Sequence, residues 1–155
     1  MGGIRKIILH CSDSPFGTAD LIRQWHMKRG WRDIGYQYVI TNGFALDSRY
    51  YQEELDGQIE QGRPFDGDNY LSRSETGAHA LGLNAFSIGI CLIGIDRFSL
   101  KQSMALCRLI NRLIERHGLK ISDVIGHYET DNANGKTCPN LDMNALRAII
   151  TSFSR

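Results

Sequence analysis

The sequence predicts a single α/β domain over residues 1–155, with a central mixed β-sheet flanked by about three helices. Length is the first observation behind this: 155 residues lie within the roughly 100–200 that one hydrophobic core serves. Patterning is the second, because short Ile-rich runs stand between longer stretches of helical period, with no internal repeat and no linker. Composition is the third: 42% hydrophobic and 23% charged residues are ordinary globular usage and exclude a disordered or fibrous chain.

The elements follow in order. Arg5–His10 reads as a buried strand, since the apolar run ends abruptly at the polar loop Ser12-Asp13-Ser14-Pro15. A helix is predicted over Ala19–Arg29. Asp20 lies in its first turn, Leu21, Ile22 and Trp25 share a face, Lys28 and Arg29 suit the negative end of the dipole, and Gly30 follows as C′. Tyr36–Ile40 reads as a second strand, turned at Asn42-Gly43 into a further strand over Phe44–Tyr51. Asp56-Gly57 reads as a second turn before Gln58-Ile59-Glu60. Pro64–Thr76 is polar and aperiodic, a surface loop of the kind that borders a binding groove.

Ser87–Ile95 is the most hydrophobic segment and is short enough for a central strand covered on both faces. Ser99-Leu100-Lys101-Gln102 has the capping-box pattern. Met104, Cys107, Ile110 and Ile114 then recur at helical spacing, joined by Leu106, Leu109 and Leu113, until Gly118. Val124–Tyr128 reads as an edge segment carrying His127, and Asp142 as the cap of a last helix ending at Phe153.

Charge narrows the function classes. Eighteen Lys and Arg against 17 Asp and Glu leave +1, so no basic field recommends nucleic acid as a partner. Ile7-Ile8-Leu9 is too short for a signal-peptide core, and no apolar run approaches the ~20 residues that span a bilayer. The expectation is a chain that is cytoplasmic as synthesised, without membrane insertion. In that reducing compartment Cys11, Cys91, Cys107 and Cys138 should stay free of disulfides. Cys91 and Cys107 read as small core residues. Cys138 stands apart in the polar segment Asn134-Gly135-Lys136-Thr137-Cys138-Pro139, where no core needs a thiol.

His10, His127 and Cys138 all sit where an element ends or a loop begins. Two His and one thiolate are a sound zinc set with a fourth position open, although on spacing alone the signal is weak and unrelated polar or core roles are the default reading. Alternation along the strand turns Cys11 away from His10 and makes it a packed residue. His26 and His117 lie on helices beside basic residues and read as surface groups. Glu129 reads either as a partner orienting His127 or as half of an ion pair.

Five ordered stretches add a resemblance: Ile7–Ser12, Ile22–His26 with Gly30–Tyr36, Gly77–Ala80 with Ser87–Leu92, Gly126–Glu129, and Lys136–Pro139. Together the chain from about Ile7 to Ile150 resembles the zinc-dependent N-acetylmuramoyl-L-alanine amidases of the phage-lysozyme and peptidoglycan-recognition-protein type. The resemblance implies Zn2+ on His10, His127 and Cys138, catalytic roles for Tyr36 and Lys136, and hydrolysis of the muramyl–L-alanine amide in peptidoglycan or muropeptides. It implies a phage or prophage endolysin that reaches the wall by a separate lysis or export route. Many relatives carry Asp where this chain has Cys138. Gln37 stands where relatives often have His, and the segment 41–54 looks longer than the usual hairpin. His79, in Gly77-Ala78-His79, reads as lining the substrate groove or as a hydrogen-bonded structural histidine. The competing classes are a non-catalytic peptidoglycan-binding module and a regulatory protein on the same fold. Tyr36, Lys136 and Cys138 together speak for the enzyme.

Overall fold

The computed structural model describes residues 2–154. Five strands form one sheet: β1 (Lys6–Cys11), β2 (Tyr38–Asn42), β3 (Asp56–Gln61), β4 (Ser87–Leu92) and β5 (Val124–Gly126), in the order β3-β2-β4-β1-β5. β2, β4, β1 and β5 run parallel, and β3 pairs antiparallel with β2. Three helices complete the domain, α1 (Ala19–Lys28), α2 (Leu100–His117) and α3 (Met143–Phe153).

Side chains alternate across the sheet, so each strand feeds two cores. Ile7, Leu9, Ile88, Ile90 and Leu92 pack with Leu106, Ile110, Leu113 and Ile150 of α2 and α3. On the other face Cys91, Val39 and Ile93 pack with Ala19 and Ile22 of α1. β4 is buried at every position, as a central strand covered on both sides must be. Each fully buried Ile or Leu contributes about 1.5–3 kcal/mol of burial free energy.

The predicted caps are in place. Ser99 and Gln102 form the capping box of α2, Gly118 ends it in the left-handed conformation, and the Asp142 carboxylate accepts from Ala145 N–H. The predicted strand Phe44–Tyr51 is instead an irregular loop. Its apolar side chains Leu46, Tyr50 and Tyr51 are exposed and have no core to join. The Asn42 and Asp47 carboxamide and carboxylate oxygens bind the backbone two residues on and turn the chain instead. Gly43 (φ 91°) sits where a Cβ would meet the Tyr51 ring, so the turn itself requires glycine. The partner of β2 is β3, which starts at Asp56, the residue expected in a turn.

Two histidines expected at the surface are buried. His26 continues the stripe of Ala19 and Ile22, and its Nδ1 accepts Gly35 N–H at 2.9 Å. His117 continues the stripe of Leu106, Ile110 and Leu113, against Phe65 and Asn69. Helical period outweighs the basic neighbours in both cases. Met104 departs the other way and is exposed, while Ala105, Leu106 and Leu109 carry the buried face.

Candidate active site

The site forms at the carboxyl ends of β1 and β5, where parallel strands open toward solvent. His10 is the next-to-last residue of β1, paired with Cys91 of β4, and points to the α1 side of the sheet. His127 follows β5 directly in a 3-10 turn. Cys138 comes from the loop before α3, where Tyr128 N–H binds its carbonyl at 2.9 Å. The ligand atoms of His10, His127 and Cys138 lie within 4.8 Å of one another, and the two imidazole rings are 4.7 Å apart.

These three residues line one cavity of about 510 Å³ together with Tyr36, His79 and Lys136. Every predicted site residue therefore meets at one place. Arg29, Trp31 and Asn140 also line it. The indole of Trp31, tilted against the His26 ring with centroids 4.4 Å apart, was detectable as an aromatic next to Gly30 at a helix exit. Asn140 carried no signal in the sequence.

Electrostatics favour neutral imidazoles. Burial, then the neighbouring His79, His127 and Lys136, push the pKa of His10 well below its ordinary value. Burial and Lys136 lower His127 in the same way. Neutral rings keep a lone pair for a metal. The Cys11 thiol beside it, then burial, push the Cys138 pKa up, and the amide N–H of Cys11, which donates to Cys138 Sγ at 3.1 Å, acts against them. Cys11 itself is buried as expected, but beside Cys138 and under Asn140 Nδ2 at 3.7 Å, not on a separate face of the core.

Tyr36 precedes β2, with its ring 5.0 Å from His10 and 5.6 Å from His26. Burial raises its pKa well above the ordinary phenol value, so it keeps its proton at neutral pH. Lys136 is exposed in the loop that carries Cys138, its own N–H bound to Ala133 C=O at 3.1 Å. His79 is buried, with Nδ1 3.0 Å from His10 Nε2.

Two neighbours are structural. Gln37 is fully buried, where Nε2 donates to Glu75 C=O and Oε1 accepts Gly89 N–H, tying the loop 64–76 to β4. Glu129 forms an ion pair with Arg147 at 2.9 Å and accepts Gly126 N–H, so it anchors the turn that starts at His127. The guanidinium of Arg147 holds its carboxyl below the usual range.

Known proteins share this architecture. The chain matches the protein family described as N-acetylmuramoyl-L-alanine amidase over residues 2–141. It is 30% identical over 150 residues to an endolysin of Klebsiella phage KP32, across 89% of this chain and 82% of that protein. The fold is similar to the N-acetylmuramoyl-L-alanine amidase LysC from Clostridium intestinale, with TM-score 0.74 at 23% identity over 97% of this chain and 87% of that one. It is also similar to a mutant of Drosophila PGRP-LB in complex with tracheal cytotoxin, with TM-score 0.66 at 25% identity over 99% and 83%.

Proposed function

The chain belongs to the N-acetylmuramoyl-L-alanine amidase family, and from that premise we propose that it hydrolyses the amide between the lactyl carbonyl of N-acetylmuramic acid and L-alanine, using one zinc ion. The observation that carries this reading is the convergence of two imidazoles and a thiol within 4.8 Å, in the cavity that Tyr36 and Lys136 share.

The donor set fits zinc. Two neutral nitrogens and one sulfur suit its borderline softness, and three protein ligands leave one of four positions for water or substrate. When bound, zinc polarises a carbonyl oxygen as a Lewis acid and lowers the pKa of water to about 7.

The chain's own residues supply the rest. Lys136 stands two positions before Cys138, so a short tether holds its ammonium near the ligand set. There it opposes the negative charge that grows on the carbonyl oxygen as the carbon becomes tetrahedral. Tyr36 keeps its phenol proton and can donate a hydrogen bond to that oxygen or orient the attacking water. His79 forms part of the groove wall. No described helix is long and apolar enough to cross a membrane. The phage endolysins among its relatives favour a phage or prophage origin for this enzyme and a wall reached by a separate lysis or export route.

The test is incubation of purified protein with peptidoglycan, read by mass spectrometry. New lactyl carboxylates and free L-alanine amines are expected. New reducing sugar ends would mean a glycosidase, and binding without cleavage would mean a recognition module.

A further inference from the structure

Behind the three-ligand group runs a buried polar chain that the chemistry above does not use. His79 Nδ1 lies 3.0 Å from His10 Nε2, and the two rings meet edge-on. The other ring nitrogen of His79 lies 3.4 Å from Ser87 Oγ. Ser87 Oγ in turn donates to Leu83 C=O at 2.8 Å.

The direction of this chain is determined at its far end. A carbonyl only accepts, and at 2.8 Å against 3.4 Å the Ser87 proton belongs to Leu83. The hydroxyl oxygen is then an acceptor toward His79, so His79 Nε2 carries the hydrogen and His79 Nδ1 the lone pair. His10 Nε2 must therefore donate to it. A single lone pair remains on His10, at Nδ1.

The His79 ring is held in a slot made for it. A Cβ on Gly89 would come within 2.7 Å of its Cγ and Cδ2, and one on Gly77 within 2.8 Å of Cδ2. Glycine in the middle of a fully buried strand marks such a close approach. The backbone N–H of His79 is bound by Asn84 Oδ1 at 2.8 Å, which fixes the loop that delivers the ring.

We infer that His79 is a positioning residue: it holds His10 in the Nε2–H tautomer, so that His10 meets the metal through Nδ1. The metal part of this inference rests on the zinc reading above. The tautomer belongs to the metal-free chain and stands independently. A metal-bound imidazole whose second nitrogen is held by a neighbour is oriented and made more basic, and loss of such a neighbour costs about 10–100-fold in metal affinity.

Two measurements test it. Long-range proton–nitrogen correlation spectra of metal-free protein carrying nitrogen-15 histidine should show His10 and His79 both protonated at Nε2. In chelator competition, His79→Phe, which keeps a ring and removes both nitrogens, should bind zinc about 10–100-fold more weakly than the parent. His79→Asn, whose Oδ1 can stand where Nδ1 stood, should recover most of that loss, which a purely space-filling role would not. His10 protonated at Nδ1 in the parent, or zinc binding by His79→Phe within twofold of the parent, would overturn the inference. A parent that binds no zinc at all would instead overturn the zinc reading, and leave the tautomer result to stand or fall by the spectra.

Discussion

The amide of Cys11 donates to the sulfur of Cys138 at 3.1 Å, joining residues 127 positions apart. One hydrogen bond thus ties the end of β1 to the loop before α3. Because His10 precedes Cys11, the same bond sets the spacing between the His10 imidazole and the Cys138 sulfur. Lys136 inherits its place from that tie.

Substituting Lys136→Met keeps most of the stem and removes the charge. If the ammonium acts mainly in the transition state, kcat should fall by about 10²–10³ with KM little changed. Zinc content and thermal midpoint should stay at the parent's, since an exposed lysine contributes little to folding. Steady-state kinetics on defined muropeptides decide it, and turnover within a few-fold of the parent would reduce Lys136 to a solvated loop residue.

Tyr36→Phe preserves the ring that packs 5.0 Å from His10 and 5.6 Å from His26. Stability and zinc content should hold, while kcat drops by about 10²-fold through loss of the hydroxyl donor. Burial lifts the phenol pKa above its ordinary value, so ionisation of Tyr36 should leave no limb in the parent's pH–rate profile below about pH 10. Such a limb, absent from Tyr36→Phe, would contradict the assignment.

Gly89→Ala inserts a methyl group 2.7 Å from the His79 ring on a strand with no free space. Overpacking of this kind costs about 1–3 kcal/mol. Urea unfolding monitored by circular dichroism should show a lowered midpoint with an unchanged slope. An unshifted midpoint would mean that the ring moves aside without cost.

Stability should decline in mild acid through His26. Its folded pKa is lowered from 6.5 to about 4 by burial, with Arg29 and Arg63 adding to the effect. Between those values the unfolded chain binds more protons than the folded one, so stability is full above about pH 6.5 and falls as pH drops toward 4. The contribution is at most about 3 kcal/mol. His26→Asn retains an acceptor for Gly35 N–H but cannot titrate, so its urea midpoint should fall less than the parent's between pH 7 and 4.5. Equal losses would assign the acid sensitivity elsewhere.

Strand ends and helix caps were legible in the sequence because they rest on local chemistry. His10 at the end of an Ile-rich run, Ser99 three residues before Gln102, and Asp142 before a helix all sit as read. What failed depended on partners far away in sequence. Phe44–Tyr51 has strand-like residues but no apolar surface to cover them. His26 and His117 stand among basic residues, and only their place in a buried stripe, completed by loops packed over them, shows that they are inside. The hydrogen bond of His79 to His10 spans 69 positions, and nothing short-range announces it.

The proposed chemistry depends on a zinc ion held by His10, His127 and Cys138. X-ray absorption at the zinc edge on purified protein loaded with one equivalent of zinc tests it most directly. Such a site should give one sulfur at about 2.3 Å and two imidazole nitrogens at about 2.0–2.1 Å, with the sulfur lost in Cys138→Ser. A first shell of nitrogen and oxygen alone in the parent would contradict it.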